Sequence, residues 1–567
     1  MSVGANPRTG MSPVRIYAFL ALAALVLILV APDFANLTAF YLFTQDRWLL
    51  AAGLVLLMLC GLRLPGQASI PAIGWRGAAG ASLAGALVAY LGHYLILAGY
   101  DLSRDEQMAT FDALVFAGGN LVAPLPEGWA RHADALNTMF MNPAEERTGW
   151  VSGYLPVHAG MRAGFSFLGD MALTGPAMIA IGAMALWGCI RKLWPEDGTA
   201  PFLALALYLG SGQVLVNGMT SYAMPAHLAL NLVWLWLFLQ RKWTADGAAL
   251  VIGFLATGLH QPIMHPVFAA PILVLVVIER DWRRATLYFL GYLAIGLFWW
   301  MWPQWMIPLV EANAAVVAGD QSVYLERLMQ TLGGDLVAGG VDMASNLLRF
   351  AAWQHLLLIP LSIYGLRLAR RDVLAAGLAG GIALMIVLTL VILPYQGHGF
   401  GYRYLHGFIG NAILLAVFGW RQAVGDSAQW RAFLLRATAA GLLVLLPVQL
   451  WMAHAFYAPY AKVSRSIDTI KADFVVVGAI DAPFSSDLVI NPPALERRPV
   501  RLLRHELDGD AIAWICRDAP RVALLGDREL EPIVRYFGQP AKETAKANRD
   551  FGDRLRQSGC RLLDVPD

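Results

Sequence analysis

Residues 99–107 read GYDLSRDEQ. Three carboxylates, Asp101, Asp105 and Glu106, follow an apolar run, and Asp112 comes slightly later. A carboxylate held at the mouth of an apolar cavity can take a proton from a hydroxyl nucleophile. Adjacent residues on a helix point about 100° apart, so Asp105 and Glu106 do not easily serve one reacting atom: one is the base and the other orients or caps. Ser103 and Glu106 form an S-x-x-E capping box. That spacing occupies Glu106 and makes Asp105 the candidate base, while Asp101 is an alternative N-cap. The same box also explains the acids as nothing more than a solvated helix start.

Five further stretches carry chemistry. In YQGHGFGYRYLHG, 395–407, glycines at 397, 399 and 401 permit an unusual backbone beside Arg403, with His398, Tyr402, Tyr404 and His406 around it. A guanidinium, imidazoles and a helix N-terminus make an anion site; the bland alternative is an Arg snorkelling to the headgroups. In LHQPIMHP, 259–266, His260 and His265 flank a Pro-broken hairpin. They are five apart, not the i, i+4 of a helical metal pair, and contact with a lipid phosphate or simple packing are equal readings. His227 enters an apolar helix in NGMTSYAMPAHLAL, and a histidine there faces protein interior or water. Tyr154 and Trp150 in GWVSGYLPVHAG suit an interface, as cavity lining or as anchors. GDQSVYLERLMQTLGG, 319–334, reads as an amphipathic helix, a lid or a plain interfacial helix.

The elements that position these residues are membrane helices. The chain has 567 residues, of which 58% are hydrophobic and 14% charged; soluble proteins carry about 25% charge. A bilayer core takes about 20 apolar residues as a helix, and thirteen runs qualify: 14–32, 48–64, 78–99, 172–191, 200–217, 221–240, 246–260, 265–280, 284–304, 353–369, 373–394, 405–421 and 433–455. The first run lacks an A-x-A-like cleavage site, which predicts a retained helix.

Lys and Arg concentrate in alternate loops (Arg63 and Arg76, Arg191 and Lys192, Arg241 and Lys242, Arg283 and Arg284, Arg367 to Arg371, Arg421 and Arg431). This bias places the N-terminus in the cytoplasm. Thirteen spans then put loops 100–171 and 305–352, the Arg403 loop and the tail 457–567 outside. The tail mixes strand-like and helix-like runs, as a small extracytoplasmic α/β domain would. Cys60 and Cys189 fall in apolar runs as packing residues; Cys516 and Cys560 lie in the outward tail, as a disulfide or as two free thiols. A net charge of +2 points to no nucleic-acid partner.

Five motifs occur in order: SRDEQ, WVSGYLP, MTSYAMPAH, HQPIMHP and YQGHGFGYRYL. This ordered set resembles the C-type (GT-C) glycosyltransferase superfamily, in particular bacterial relatives of its protein mannosyltransferase and aminoarabinose transferase branch, over roughly residues 78–455. The resemblance implies an all-α polytopic core at 78–456, with an N-terminal segment 1–77 carrying two extra spans. It implies transfer of a sugar from a polyprenyl-phosphate carrier to a glycan, lipid or protein acceptor, on the outer face of a bacterial inner membrane. Asp105 and Glu106 match the catalytic acid position. Arg403, helped by His398 and by His260 or His265, would hold the carrier phosphate. Tyr154, Tyr404, Asp101 and His227 would line the cavity. The chain departs where relatives read T-R-P (here His260-Gln261-Pro262) and G-P-R-Y (here Gly401-Tyr402-Arg403-Tyr404). No cofactor is required; a divalent metal between carboxylate and phosphate is compatible with the oxygen ligands but not indicated. Two competing readings stand: a lipid or oligosaccharide flippase, which predicts charges in mid-span, and an O-antigen-ligase-like transferase.

Overall fold

The computed structural model describes residues 12–30, 36–62, 68–142, 147–310, 336–424, 427–478, 481–538 and 544–563. The expected amphipathic helix at 319–334 lies outside them. The chain divides into two compact units, 1–92 with 172–300 and 320–452, and 93–171 with 301–319 and 453–567.

The first unit is helical. Among the described residues of the whole chain, six helices are long and apolar enough to cross a membrane, and a seventh counts if the pair Ala200–Leu209 and Gly212–Met219 is one span bent by 51°. Four more apolar helices are shorter, Met224–Phe238 among them. Among the described residues this is fewer than the thirteen predicted runs, for a physical reason. Several apolar runs are interrupted where the backbone needs other partners. The run at 200–217 breaks at Gly210, and Ser211 caps a new helix by accepting from Val214 N. The run at 353–369 keeps only a nine-residue helix, Leu358–Leu366. Two boundaries also move. The second span starts at Leu37 rather than 48 and passes through a π-turn, Leu42–Asp46, so Asp46 and Arg47 lie inside a helix, not in a loop. The last span runs from Ala428 through to Thr469, past the expected tail boundary at 457.

A buried ion pair staples three elements of this unit. Arg284 donates from Nε and Nη2 to both oxygens of Asp246 at 2.7–3.0 Å and from Nη2 to Phe238 O at 2.6 Å, and Tyr288 Oη donates to Asp246 Oδ1 at 2.7 Å. Buried carboxylates need such full satisfaction, since removing one partner strands a charge.

The second unit contains the sheets. Two-residue strands β1 (Ala123–Pro124) and β2 (Gly149–Trp150) pair antiparallel. Strands β3 (Phe474–Val477), β4 (Val500–Leu503), β5 (Arg521–Leu524) and β6 (Arg561–Leu563) form a parallel sheet in the order β4-β3-β5-β6. Helices Gly509–Ile515, Asp527–Phe537 and Thr544–Gln557 lie between strands in sequence, as parallel pairing requires of a crossover. β4 is buried at every position, which fits a strand covered on both faces. Cys516 and Cys560 form a disulfide, and Cys60 and Cys189 are buried thiols.

One apolar core joins residues from 108–150, in the first long loop, to residues from 476–560. Trp129 packs edge-on against Phe474 and Trp514, and Trp150 Nε1 donates to Pro493 O at 3.3 Å. The long loop after the third predicted span therefore packs with the tail, whereas the sequence division grouped it with the membrane core.

Candidate functional site

The chemistry-bearing residues form two clusters, one in each unit. In the second unit the backbone turns at Ser103 into helix Arg104–Ala117. The S-x-x-E box forms as its spacing dictates: Glu106 N donates to Ser103 Oγ at 3.4 Å and Ser103 N donates to Glu106 Oε2 at 3.2 Å. Tyr457 Oη also donates to Glu106 Oε2 at 2.8 Å, and Glu106 is 0% exposed. Its neighbour Asp105 is half-buried, and Tyr154 Oη donates to its Oδ1. Two adjacent acids thus have different environments. One is consumed by the helix start, while the other is only half-buried and is oriented by a phenol. Asp101 accepts from Thr110 Oγ1, which accepts from Arg162 Nη2 at 2.9 Å.

The sequence reading left out a second layer here. Arg104 is buried and donates to the carbonyls of Asn137 and Met139. Desolvation lowers its pKa to about 10. Burial raises Asp112 and Asp487 to about 7 each, with Arg104 opposing both shifts. Asp112 binds its proton more tightly folded than unfolded, so its ionisation costs stability. That cost is absent below about pH 4, grows as pH rises and is complete above about 7. Replacing Asp112 by Asn is expected to raise the unfolding temperature at pH 8, by up to a few kcal/mol of stability, and to change little near pH 4. Melting in detergent at the two pH values checks this.

In the first unit the glycine-rich loop wraps Arg403. Arg403 opens a short 3₁₀ turn, Arg403–Phe408, and its side chain is buried with the guanidinium 4.5 Å from the Tyr222 ring centroid. Gln396 fixes the loop: its Oε1 accepts from Arg403 N at 2.7 Å and its Nε2 donates to Gly401 O at 3.0 Å. Gly399 has φ +142°, and a Cβ there would come within 2.5 Å of Arg403 Cδ. Glycine is required for the arginine to fold back along its own loop. His398 lies in the same loop, with Nδ1 3.1 Å from Tyr41 Oη. Tyr404 is half-buried, its ring 5.7 Å from that of Tyr402.

Arg349 is the main residue of this cluster that sequence reasoning missed. It is 1% exposed, pairs through Nε with Asp46 Oδ2 at 3.2 Å and donates from Nη2 to Gly399 O at 2.8 Å. Trp353 Nε1 donates to Asp46 Oδ1 at 2.7 Å. Arg349 and Arg403 are close enough to repel each other. The cluster therefore holds two buried guanidiniums and the Asp46 carboxylate, an excess of positive charge suited to an anion. The signal in the sequence is a lone Asp inside one apolar helix and a lone Arg inside another.

His265 packs between helices, the second of the two readings given for it. Its ring is 0% exposed, Nδ1 lies 2.8 Å from Asn231 Oδ1 and Nε2 lies 2.8 Å from Tyr292 Oη. Both nitrogens are spent joining helices Met224–Phe238, Met264–Ile278 and Trp282–Met306. His260 stays half-buried beyond the end of helix Trp243–Thr257. His227 is buried one helical turn before Asn231, whose Nδ2 donates to Gly407 O at 3.0 Å. Among the described residues no three His, Cys, Asp or Glu side chains gather as a metal site.

No protein-family model matches the chain, and no curated protein matches it. Among solved structures it is similar to the crystal structure of ArnT from Cupriavidus metallidurans bound to undecaprenyl phosphate, with 12% identity and a TM-score of 0.47 over 73% of this chain and 84% of that one. It is similar also to the apo state of ArnT from the same organism, with 11% identity and a TM-score of 0.45 over 82% and 89% of the two chains.

Proposed function

We propose that the chain is an inverting glycosyltransferase that moves a sugar from a polyprenyl-phosphate carrier to an acceptor hydroxyl on the outer face of the membrane. The observation that carries this reading is the division of labour between the adjacent acids. Glu106 is buried in its capping box under Tyr457, and Asp105 is half-buried and hydrogen-bonded to Tyr154. The ordered motif set supplies the donor class, and the Arg403 loop supplies a buried cation for its phosphate.

The acceptor oxygen attacks the anomeric carbon, and Asp105 takes the hydroxyl proton. The bond between the anomeric carbon and the phosphate oxygen breaks, and its electron pair leaves with polyprenyl phosphate. Arg403 stabilises the charge that grows on that phosphate, an electrostatic contribution that is usually the largest in such steps. His398 orients beside it. A single displacement inverts the anomeric centre, and no covalent glycosyl-enzyme is needed. The alternating loop charges support a cytoplasmic N-terminus and an α/β region outside. The Cys516–Cys560 disulfide supports an oxidising compartment for that region.

Mass spectrometry of carrier lipids and surface glycans, with and without the gene, tests the reading. Loss of the chain should leave a lipid-linked sugar unconsumed and one sugar missing from a surface glycan. Identical pools in both strains would overturn it.

A further inference from the structure

The sequence gives no role for the α/β region beyond a fold. Its short turn Ser485–Leu488, entered through Phe484 in the left-handed conformation (φ +53°), touches the helix that carries Asp105. Gln107 Nε2 donates to Asp487 O at 2.7 Å, and Asn137 Nδ2 donates to Ser486 O at 3.0 Å. Arg104 closes the ring: its Nη2 donates to Asn137 O and its Nη1 to Gln107 Oε1 at 3.4 Å. The start of the acid-bearing helix is therefore tied, through side chains on that helix and Asn137, to two successive carbonyls of the turn.

The turn is itself held from behind. Tyr460 Oη donates to Pro483 O at 2.8 Å, Ser485 Oγ to Gly478 O at 2.5 Å, and Arg501 Nη1 to Leu488 O at 2.8 Å. A clamp anchored on helix Leu446–Thr469 and on β4 fixes position far better than a solvated loop.

The Asp487 side chain is buried among charges. Arg104 and Asp105 face it from the acid-bearing helix, Tyr100 from the segment before that helix, and Tyr460 from helix Leu446–Thr469. Arg501, on β4, acts on Tyr100 and holds the next carbonyl. Burial and Asp105 both favour the protonated form of Asp487, while Arg104 favours the anion.

We propose that the turn Ser485–Leu488 is a positioning element for the acid-bearing helix, holding the start of that helix, and Asp105 with it, through Gln107 and Asn137. The proposal rests on Asp105 being the base. It gives the α/β region a task within the reaction.

The test uses the full chain in detergent with a lipid-linked sugar donor. Gln107→Met removes one tie to the turn and keeps the volume; it should lower kcat about tenfold, with the donor KM unchanged. Asn137→Leu removes the tie to Ser486 O and should act in the same direction. A kcat equal to the parent in both variants overturns the proposal. If one variant does not fold, the other decides alone. An Asp105→Asn variant in the same assay separates the two claims, because full activity there removes the base assignment itself rather than the clamp.

Discussion

Asp105→Asn is expected to lower kcat for sugar transfer by about 10²–10⁴-fold, with the protein folded and the carrier lipid still bound. The amide keeps the size of the carboxylate and can still accept from Tyr154 Oη, so the helix start is left intact; what it loses is the capacity to take a proton. Glu106→Gln is the contrast. Its carboxylate serves Ser103 N and Tyr457 Oη, both of which an amide oxygen can satisfy. The cost is a weakened cap, about 1 kcal/mol of stability, and activity should stay within about tenfold of the parent. Single-turnover transfer with both variants checks this. Two variants of equal activity would remove the distinction between the acids, and a fully active Asp105→Asn would remove the base.

The difference between the acids was legible because it is local. Ser103 and Glu106 are three apart, and an S-x-x-E spacing has one geometric outcome at a helix start. The Arg403 loop was legible for a related reason: glycines at alternate positions beside a cation imply a backbone that other residues resist. What the sequence hid lies at long separation. Asp46 and Arg349 pair across 303 residues, and Gln107 meets Asp487 across 380; nothing in one sequence couples such positions. His265 stayed open between two readings because an imidazole beside a Pro-broken turn looks the same whether it faces a ligand or, as here, Asn231 and Tyr292. Apolar runs mark greasy segments but not their bends, so the Gly210–Ser211 break and the continuation of the last helix to Thr469 needed coordinates.

Arg403→Ala is expected to weaken binding of polyprenyl phosphate by at least about tenfold to a hundredfold, the range for loss of a charge-assisted hydrogen bond. The loop should survive the truncation, because its shape is set by backbone contacts: Gln396 holds Arg403 N and Gly401 O, and Gln213 Nε2 donates to Tyr402 O at 2.8 Å. Arg403→Lys keeps the charge but loses the planar fork and the stacking on Tyr222, so it should recover only part of the affinity. Gly399→Ala is an independent probe, since it leaves the guanidinium present and displaces it. The new methyl would meet Arg403 Cδ at a backbone angle that side chains resist, so carrier binding should fall with the total charge unchanged. Arg349 stays paired with Asp46 in all three variants, which keeps the remaining positive charge constant across the series. Titration of the purified chain with polyprenyl phosphate in detergent, at two salt concentrations, checks the order parent, Lys variant, Ala variant. Equal affinities for the parent and Arg403→Ala would leave Arg403 as a packing partner of Tyr222 and move the phosphate elsewhere.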